Sequence, residues 1–391
     1  MKYLHLSLSA DKGGAAISAM RLHESMLDNR MDSVFLSLKA GPDSDKVLPR
    51  IIFCIQKLYF LFFRLFQCAD KKDSIRSFNV LPTGVSRVLN KYNYDVLVVH
   101  WVGAELVSLG ELSSLKKRVY VVAHDLWWVG GCSHISEKFQ AKNRGVMYCF
   151  ERYSAKIKRE LLMSKNVTVI APSDWMRQKL LDCYYSDSAQ FESPEACRLF
   201  PTIPNIIPYS ILDCPSTLGR VSCGRTVIIL GAADVNSWHK GGDLILAFLT
   251  MMNRVDCYVK IFGALDKFIN DKALLFENVE VLGELSNKSL ISCLSEADIY
   301  VSLSRVDNLP NVVLEALAVG CYIVGFKVGG MPNIITNNKL GLLSNTIDVG
   351  NLVWLIDRVG AGVLQSRAYR RQHVRKTYSP EAVLQQIELL S

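Results

Sequence analysis

Short β-branched runs alternate with helical stretches almost throughout this chain, and the series starts twice. Strand patterns fall at Tyr3–Leu8, Val34–Leu38, Asp95–His100, Arg118–Ala123 and Asn166–Ala171. Between the first two, Ala15–Asn29 carries Ile17, Met20 and Leu27 at helical spacing. A proline-marked stretch, Pro201-Thr202-Ile203-Pro204-Asn205-Ile206-Ile207-Pro208, interrupts the series. It resumes with strands at Arg225–Leu230, Cys257–Phe262, Val279–Leu282, Asp298–Leu303 and Tyr322–Gly325. Helices are expected between them at Gly242–Met252, Lys288–Glu296, Asn311–Val319 and Asp348–Val359. Continuous Val and Ile runs are typical of strands buried on both faces, as in parallel sheets. The alternation therefore predicts an α/β chain with two Rossmann-like, doubly wound parallel-sheet domains. The expected boundaries are 1–205 and 206–378, followed by a C-terminal helix over 379–391. That helix starts at Pro380 behind a Ser379 cap and is expected to pack back on the N-terminal domain. In such folds ligands bind outside the carboxyl ends of the strands, here in a deep cleft faced by the two domains.

Composition narrows the partners. Half of the 391 residues are apolar and 21% are charged, which excludes intrinsic disorder. The 45 Lys and Arg against 37 Asp and Glu give a formal +8. Spread over this length it makes no case for nucleic acid, but it suits a polyanionic ligand or an anionic membrane face. Eleven cysteines without a C-x-x-C pair write neither a zinc ribbon nor a thioredoxin-type site, and read as reduced cytoplasmic thiols. The first residues lack the apolar core of a signal peptide, and no uncharged apolar run of 18 residues predicts a transmembrane helix.

Residues able to carry chemistry gather at predicted strand ends. Gly13 and Gly14 open the first helix; paired glycines there let the backbone approach a ligand, and the helix N-terminus favours an anion, although a plain tight turn has the same look. His100-Trp101 and His124-Asp125 end the third and fourth strands. Trp127 and Trp128 follow, as sugar-stacking rings or as loop core. In the second series Lys240 precedes Gly241-Gly242 after an irregular loop, which places an ammonium for a diphosphate. The strongest signal is Ser302-Leu303-Ser304-Arg305-Val306-Asp307-Asn308-Leu309-Pro310-Asn311-Val312-Val313-Leu314-Glu315-Ala316. A strand runs into a polar loop, and Pro310 stands at the expected first helical position. The amides around Leu309, Pro310 and Asn311 then form an anion site, and Glu315, about a turn further on, accepts from a ribose. A second glycine turn, Val328-Gly329-Gly330-Met331-Pro332, follows the next strand.

With these residues in this order, the chain resembles the family 4 glycosyltransferases of the GT-B fold. Within them it is similar to the bacterial enzymes that build O-antigen, colanic acid or other extracellular polysaccharides. The resemblance rests on Gly13-Gly14-Ala15-Ala16, His100-Trp101, His124-Asp125 through Gly130-Gly131-Cys132, Lys240-Gly241 and, most specifically, the block Asp307–Pro332. It implies retaining transfer from a UDP- or GDP-sugar substrate, with no cofactor and no metal. It implies catalytic roles for His124, Lys240, Asp307 and Glu315. Glu315 matches the second acid of the family's E-x7-E motif, which holds the donor ribose, and Asp307 stands where the first acid stands. His124 matches a histidine near the donor sugar, and Lys240 a lysine that neutralises the leaving diphosphate. Donor contacts extend to Gly13, Gly14, Arg305, Asn308, Leu309, Pro310 and Asn311. His100, Trp101, Asp125 and Trp127 are expected at the acceptor or stacked on a sugar. Ala232 departs from the pattern, since many relatives place a phosphate-binding arginine there; Arg305 or His239 is the expected substitute.

The segment 50–67, RIIFCIQKLYFLFFRLFQ, is far more apolar than its neighbours. Arg50, Lys57, Arg64 and Lys71 recur every seven residues, near two helical turns, and are expected opposite Ile51, Ile55, Leu58, Phe62 and Leu65. A helix of this kind lies in an anionic membrane interface, with Phe62 and Phe63 among its inserting residues. The expected protein is thus peripheral on the cytoplasmic face of a bacterial inner membrane. Its expected acceptor is an oligosaccharide linked to polyprenyl diphosphate in O-antigen, capsule or exopolysaccharide synthesis. Two rival readings share the cleft. A nucleotide-sugar 2-epimerase relies on acid–base carboxylates. A non-catalytic sugar-nucleotide-binding subunit is favoured by Ala232 and opposed by Lys240 and Glu315.

Overall fold

Among the described residues every pair of the sheet strands runs parallel, as their buried β-branched runs lead one to expect. The computed structural model describes residues 1–39, 46–66, 76–135, 146–184, 200–215 and 224–390. Backbone contacts divide the chain into Met1–Pro204 and Asn205–Ser391. The first unit holds β1 (Lys2–Ser9), β2 (Asp32–Lys39), β3 (Lys46–Val47), β4 (Val96–Val99), β5 (Arg118–Val122) and β6 (Val167–Ile170), in the spatial order β3-β2-β1-β4-β5-β6. The second holds β7 (Thr226–Asp234), β8 (Cys257–Ala264), β9 (Val279–Gly283), β10 (Ile299–Ser302), β11 (Tyr322–Phe326) and β12 (Gly341–Ser344), in the order β12-β11-β10-β7-β8-β9. Counted from its own first strand, each sheet has the doubly wound order 3-2-1-4-5-6, so its switch point lies between its first and fourth strands.

Period-two alternation explains why such strands read as unbroken apolar runs. In the second unit Val227 and Ile229 join one buried cluster while Ile228 and Leu230 join the other. Tyr300 and Ile323 fall in the first cluster; Ile299, Val301, Tyr322 and Val324 fall in the second. Helices cover both faces of this sheet, so its central strands are apolar over most of their length.

The structure adds and trims elements. β3 and β12 had no strand signal, being two and four residues long, and β12 reads only Gly-Leu-Leu-Ser. The helix expected from Gly242 starts as a 3-10 turn and becomes α-helical over Ile245–Met251, because Gly241 sits in the left-handed region at φ 75°. Pro310 is the cap residue of the Asn311–Val319 helix, at ψ 114°, rather than its first helical residue. The Pro380–Glu388 helix is capped by the Ser379 hydroxyl, which accepts from the Ala382 amide; it belongs to the second unit and packs on the Arg367–Tyr378 helix.

The 50–67 segment forms the helix Arg50–Phe66, but its faces differ from expectation. Ile52, Gln56 and Phe63 are buried; Phe63 stacks on Phe78 at 4.7 Å, and the Gln56 amide donates to the Ala104 carbonyl. Phe63 is therefore a core residue and not an inserting one. Ile51, Leu58, Leu61, Phe62 and Leu65 are exposed. Leu58 and Leu65 each follow a basic residue by one position, about 100° round a helix, so the exposed apolar strip lies beside Lys57 and Arg64 and not opposite them. Lys71 lies outside the described residues.

Arg370 ties the end of the second unit together. Fully buried, it donates to the carbonyls of Gly320, Val363 and Leu364 at 2.8 Å and of Lys339 at 3.2 Å. Arg370→Met leaves these acceptors without a donor and is expected to lower stability by about 3 kcal/mol, read as a lower urea midpoint.

Candidate active site

Both units place their polar residues at the carboxyl ends of the strands that flank the switch point. In the first unit β1 runs into Ser9, whose hydroxyl accepts from the Lys12 amide at 3.2 Å, and then into Gly13. Gly13 caps the Gly14–Asp28 helix at φ 91°, a conformation that favours glycine, and a Cβ there would meet nothing within 4 Å. Gly13 and Gly14 are exposed, so their backbone lies open at a helix N-terminus.

β4 leads directly to His100, and β5 leads through Ala123 to His124. His100 Nδ1 meets His124 Nε2 at 3.2 Å, and His100 Nε2 meets His5 Nδ1 at 2.9 Å. His100 is buried, so the expectation that it touches acceptor gives way to a place behind His124, which is half-buried. Burial lowers the His124 pKa to about 4, against the opposing pull of Asp125; the imidazole is neutral at pH 7. Asp125 accepts from the Trp101 indole at 2.8 Å, from His134 Nδ1 at 2.6 Å and from the Trp127 amide at 3.0 Å. Burial raises its pKa, but His134 and these donors outweigh it and hold the carboxyl below its ordinary value.

Trp127 is not a sugar-stacking residue in this structure. It is 1% exposed, its indole donates to the Ser77 carbonyl, and Lys158 Nζ lies 4.5 Å from its ring centre. Trp128 is buried as well. Lys158, from the Val146–Leu162 helix, is a residue the sequence did not single out. Its buried ammonium donates to the carbonyls of Trp127 at 2.5 Å, Gly130 at 2.8 Å and Gly131, and burial lowers its pKa to about 8. Gly131 packs against Glu151, where a Cβ would stand 2.3 Å from the carboxylate. This lysine holds the loop that follows His124-Asp125. Among Lys156, Arg159 and Glu160 on the same helix, nothing in the sequence separates it from a solvated cation.

In the second unit β7 bulges between Gly231 and Asp234 and leads to Lys240; β10 leads to Asp307. Lys240 Nζ donates to Asp307 Oδ2 at 2.5 Å. The two residues following Lys240 make the approach possible: a Cβ on Gly241 would stand 2.1 Å from the Leu303 carbonyl oxygen, and one on Gly242 2.2 Å from that of Val235. The Gly329-Gly330 turn braces Asp307 from the other side. The Gly330 amide donates to the Asp307 carbonyl at 3.0 Å, and Gly329 has φ 54° with no room for a Cβ. Asn308, Leu309, Pro310 and Glu315 are buried at the start of the Asn311–Val319 helix, and Asn311 accepts from the Asn205 amide at 2.9 Å. Tyr300, also unanticipated, donates to the Gly231 carbonyl at 2.8 Å; burial, with Asp307 and Glu315 nearby, pushes its pKa up. A small pocket here is lined by Gly231, Lys240, Tyr300 and Ser304, among others.

Arg305 does not stand in for the arginine missing at Ala232. Its guanidinium is held by Asp243 in a two-point pair at 2.6 and 2.7 Å, donates to the Trp238 carbonyl and stacks on the Trp238 ring. It fixes the loop that carries Lys240. His239, the other expected substitute, has its pKa lowered by burial and by Lys240, so it adds no strong positive charge.

Two doubly wound parallel sheets, each with its polar loops at the switch point, are the architecture of the GT-B fold; residues 228–376 match the family described as "Glycosyl transferases group 1". The match covers most of the second unit and places residues 228–376 in that family. It is 24% identical over 356 residues to the putative colanic acid biosynthesis glycosyl transferase WcaC of Escherichia coli K12, covering 83% of this chain and 82% of that protein. Among solved structures it is similar to Anabaena Alr3699/HepE in complex with UDP and glucose, with a TM-score of 0.68 and 14% identity over 100% of this chain and 98% of that one. It is also similar to WaaG, a glycosyltransferase involved in lipopolysaccharide biosynthesis, with a TM-score of 0.64 and 13% identity over 99% and 98% of the two chains.

The depressed pKa of His124 has a pH consequence. Its imidazole is ordinarily half-protonated at 6.5 but in the fold at about 4, so between these values the unfolded chain binds more protons. The contribution is complete above about pH 6.5 and is lost as pH falls through about 4. Relative to a His124→Asn variant, the wild-type unfolding temperature is expected to drop over that window and run parallel above it.

Proposed function

We propose that this enzyme transfers a sugar with retention from a UDP-sugar to a lipid-linked oligosaccharide of bacterial surface polysaccharide synthesis, at the cytoplasmic membrane face. The observation that carries the donor half of this reading is the placement of Lys240 and Asp307 on the switch-point loops of the second sheet, with Glu315 buried on the helix that follows. In this reading Glu315 accepts from the donor ribose, the first amides of the Asn311–Val319 helix meet the diphosphate, and Lys240 neutralises it as it leaves. Asp307 orients Lys240 and contacts the donor sugar. The bond from the anomeric carbon to the phosphate oxygen breaks, the acceptor oxygen bonds on the same face, and its proton passes to the departing phosphate. No separate base is required, and catalysis rests on positioning and charge stabilisation. His124 serves the transferring sugar as a neutral imidazole. The choice of UDP is supported by the complexes of Alr3699/HepE, and the pathway by the names of WcaC and WaaG.

The lipid-linked acceptor is supported by the Arg50–Phe66 helix. It exposes Ile51, Leu58, Leu61, Phe62 and Leu65 beside Arg50, Lys57 and Arg64. Among the described residues no helix is long and apolar enough to cross a membrane.

Two measurements test the proposal. Lys240→Ala and Glu315→Ala are each expected to weaken UDP binding by about ten- to a hundredfold, the worth of a hydrogen bond to a charged group, with the unfolding temperature of the free protein little changed. Unaltered UDP affinity in both would remove the donor-site assignment. Phe62→Glu/Leu65→Glu is expected to abolish flotation with vesicles containing anionic lipid while leaving UDP binding intact; equal flotation would remove the membrane assignment.

A further inference from the structure

Three histidines of the first unit form a file that leads from inside the sheet to its carboxyl edge. β1, β4 and β5 are adjacent, and His5 is in register with Val98, two residues before His100. Val99 is in register with Val121, so His100 falls beside Val122, two residues before His124. Each step moves one strand across and two residues along, and side chains two apart share a face. The rings therefore stack obliquely, His5 on His100 at 5.2 Å between centres and His100 on His124 at 5.5 Å. Both contacts are also hydrogen bonds, His5 Nδ1 to His100 Nε2 at 2.9 Å and His100 Nδ1 to His124 Nε2 at 3.2 Å.

The file has a direction. Burial, reinforced by the neighbouring imidazoles, lowers the pKa of His5 and His100 well below the ordinary value, so each ring carries one N–H. Were the protons to point inward, the last N–H would be His5 Nε2, a buried atom with no partner among the described residues. A buried orphan N–H is among the rarest features of folded proteins. With the protons pointing outward, His5 and His100 each donate through Nδ1, and the orphan is a lone pair, which is the better-tolerated deficit. His124 Nε2 is then the acceptor at the end of the file.

We propose that His5 and His100 are positioning residues that fix His124 in its Nδ1–H form, so that the enzyme meets its sugar substrate with a neutral hydrogen-bond donor at that position. The role of the donor rests on the reading of His124 given under Proposed function; the tautomer does not. A partner that fixes the far nitrogen of a functional histidine fixes which nitrogen acts.

Long-range proton–nitrogen spectra of the full-length protein labelled with nitrogen-15, with His124 assigned through His124→Asn, read the tautomer directly. Expected at neutral pH is a protonated Nδ1 and a lone-pair Nε2. His100→Phe is expected to lose the fixed tautomer. Its kcat should fall by about ten- to a hundredfold on the UDP-sugar that stabilises the protein most in a thermal-shift screen, at unchanged KM for that sugar. His100→Asn, whose amide N–H replaces Nδ1–H, should restore both. If His100→Phe does not fold, the wild-type and His100→Asn spectra decide. A wild-type His124 protonated on Nε2 overturns the proposal whatever the activity. Full activity of His124→Ala with the Nδ1–H spectrum present overturns only the catalytic reading of His124.

Discussion

Lys240 and Asp307 stand 67 residues apart in the chain, and their ion pair joins the loops after β7 and β10 across the switch point of the second sheet. Much of the surrounding backbone serves this contact. Gly241 and Gly242 admit the lysine loop against Leu303 and Val235, and Gly329-Gly330 closes over the Asp307 carbonyl. Arg305, which the sequence offered as a phosphate ligand, instead holds Asp243 and the Trp238 carbonyl and so fixes the stem of the same loop. An ammonium already oriented by a carboxylate suits an anion whose charge changes during reaction, because the field is in place before the charge develops.

The first unit solves a similar problem with backbone carbonyls. Lys158 gathers the oxygens of Trp127, Gly130 and Gly131 around one buried ammonium, and Trp127 fills the space beside it. The 3-10 turn Leu126–Trp128 and the loop after it are thereby held against Asp125 and His124. Asp125 is fixed in turn by Trp101, His134 and the Trp127 amide. Both units thus anchor a polar loop through a charged side chain, the buried Lys158 in the first and Arg305 paired with Asp243 in the second.

The two parallel sheets and most strand positions were legible because parallel strands buried on both faces are apolar over most of their length, and this pattern survives in a single sequence. β12 escaped because four residues of Gly-Leu-Leu-Ser have no period to read. The Asp307–Pro332 block was legible in outline, since its glycine turns and the helix start at Pro310 have a backbone reason, although Pro310 caps the helix instead of opening it. What Arg305 and Trp127 do was not legible. Their partners, Asp243 and Lys158, are 62 and 31 residues away, and pairing at that distance depends on the fold. The Arg50–Phe66 helix shows the same limit. Its amphipathic character was visible, but the core took Gln56 through a hydrogen bond and left Leu65 outside. His5 left a trace, a lone polar ring among Tyr3, Leu4, Leu6 and Leu8, whose meaning needed the register of β1 against β4.

The proposed reaction requires that the acceptor bond to the sugar on the face that the diphosphate leaves. The anomeric configuration of the product, read by proton NMR after transfer from an α-linked UDP-sugar, tests this directly. An α-linked product is predicted, and a β-linked product formed directly from that donor would contradict it.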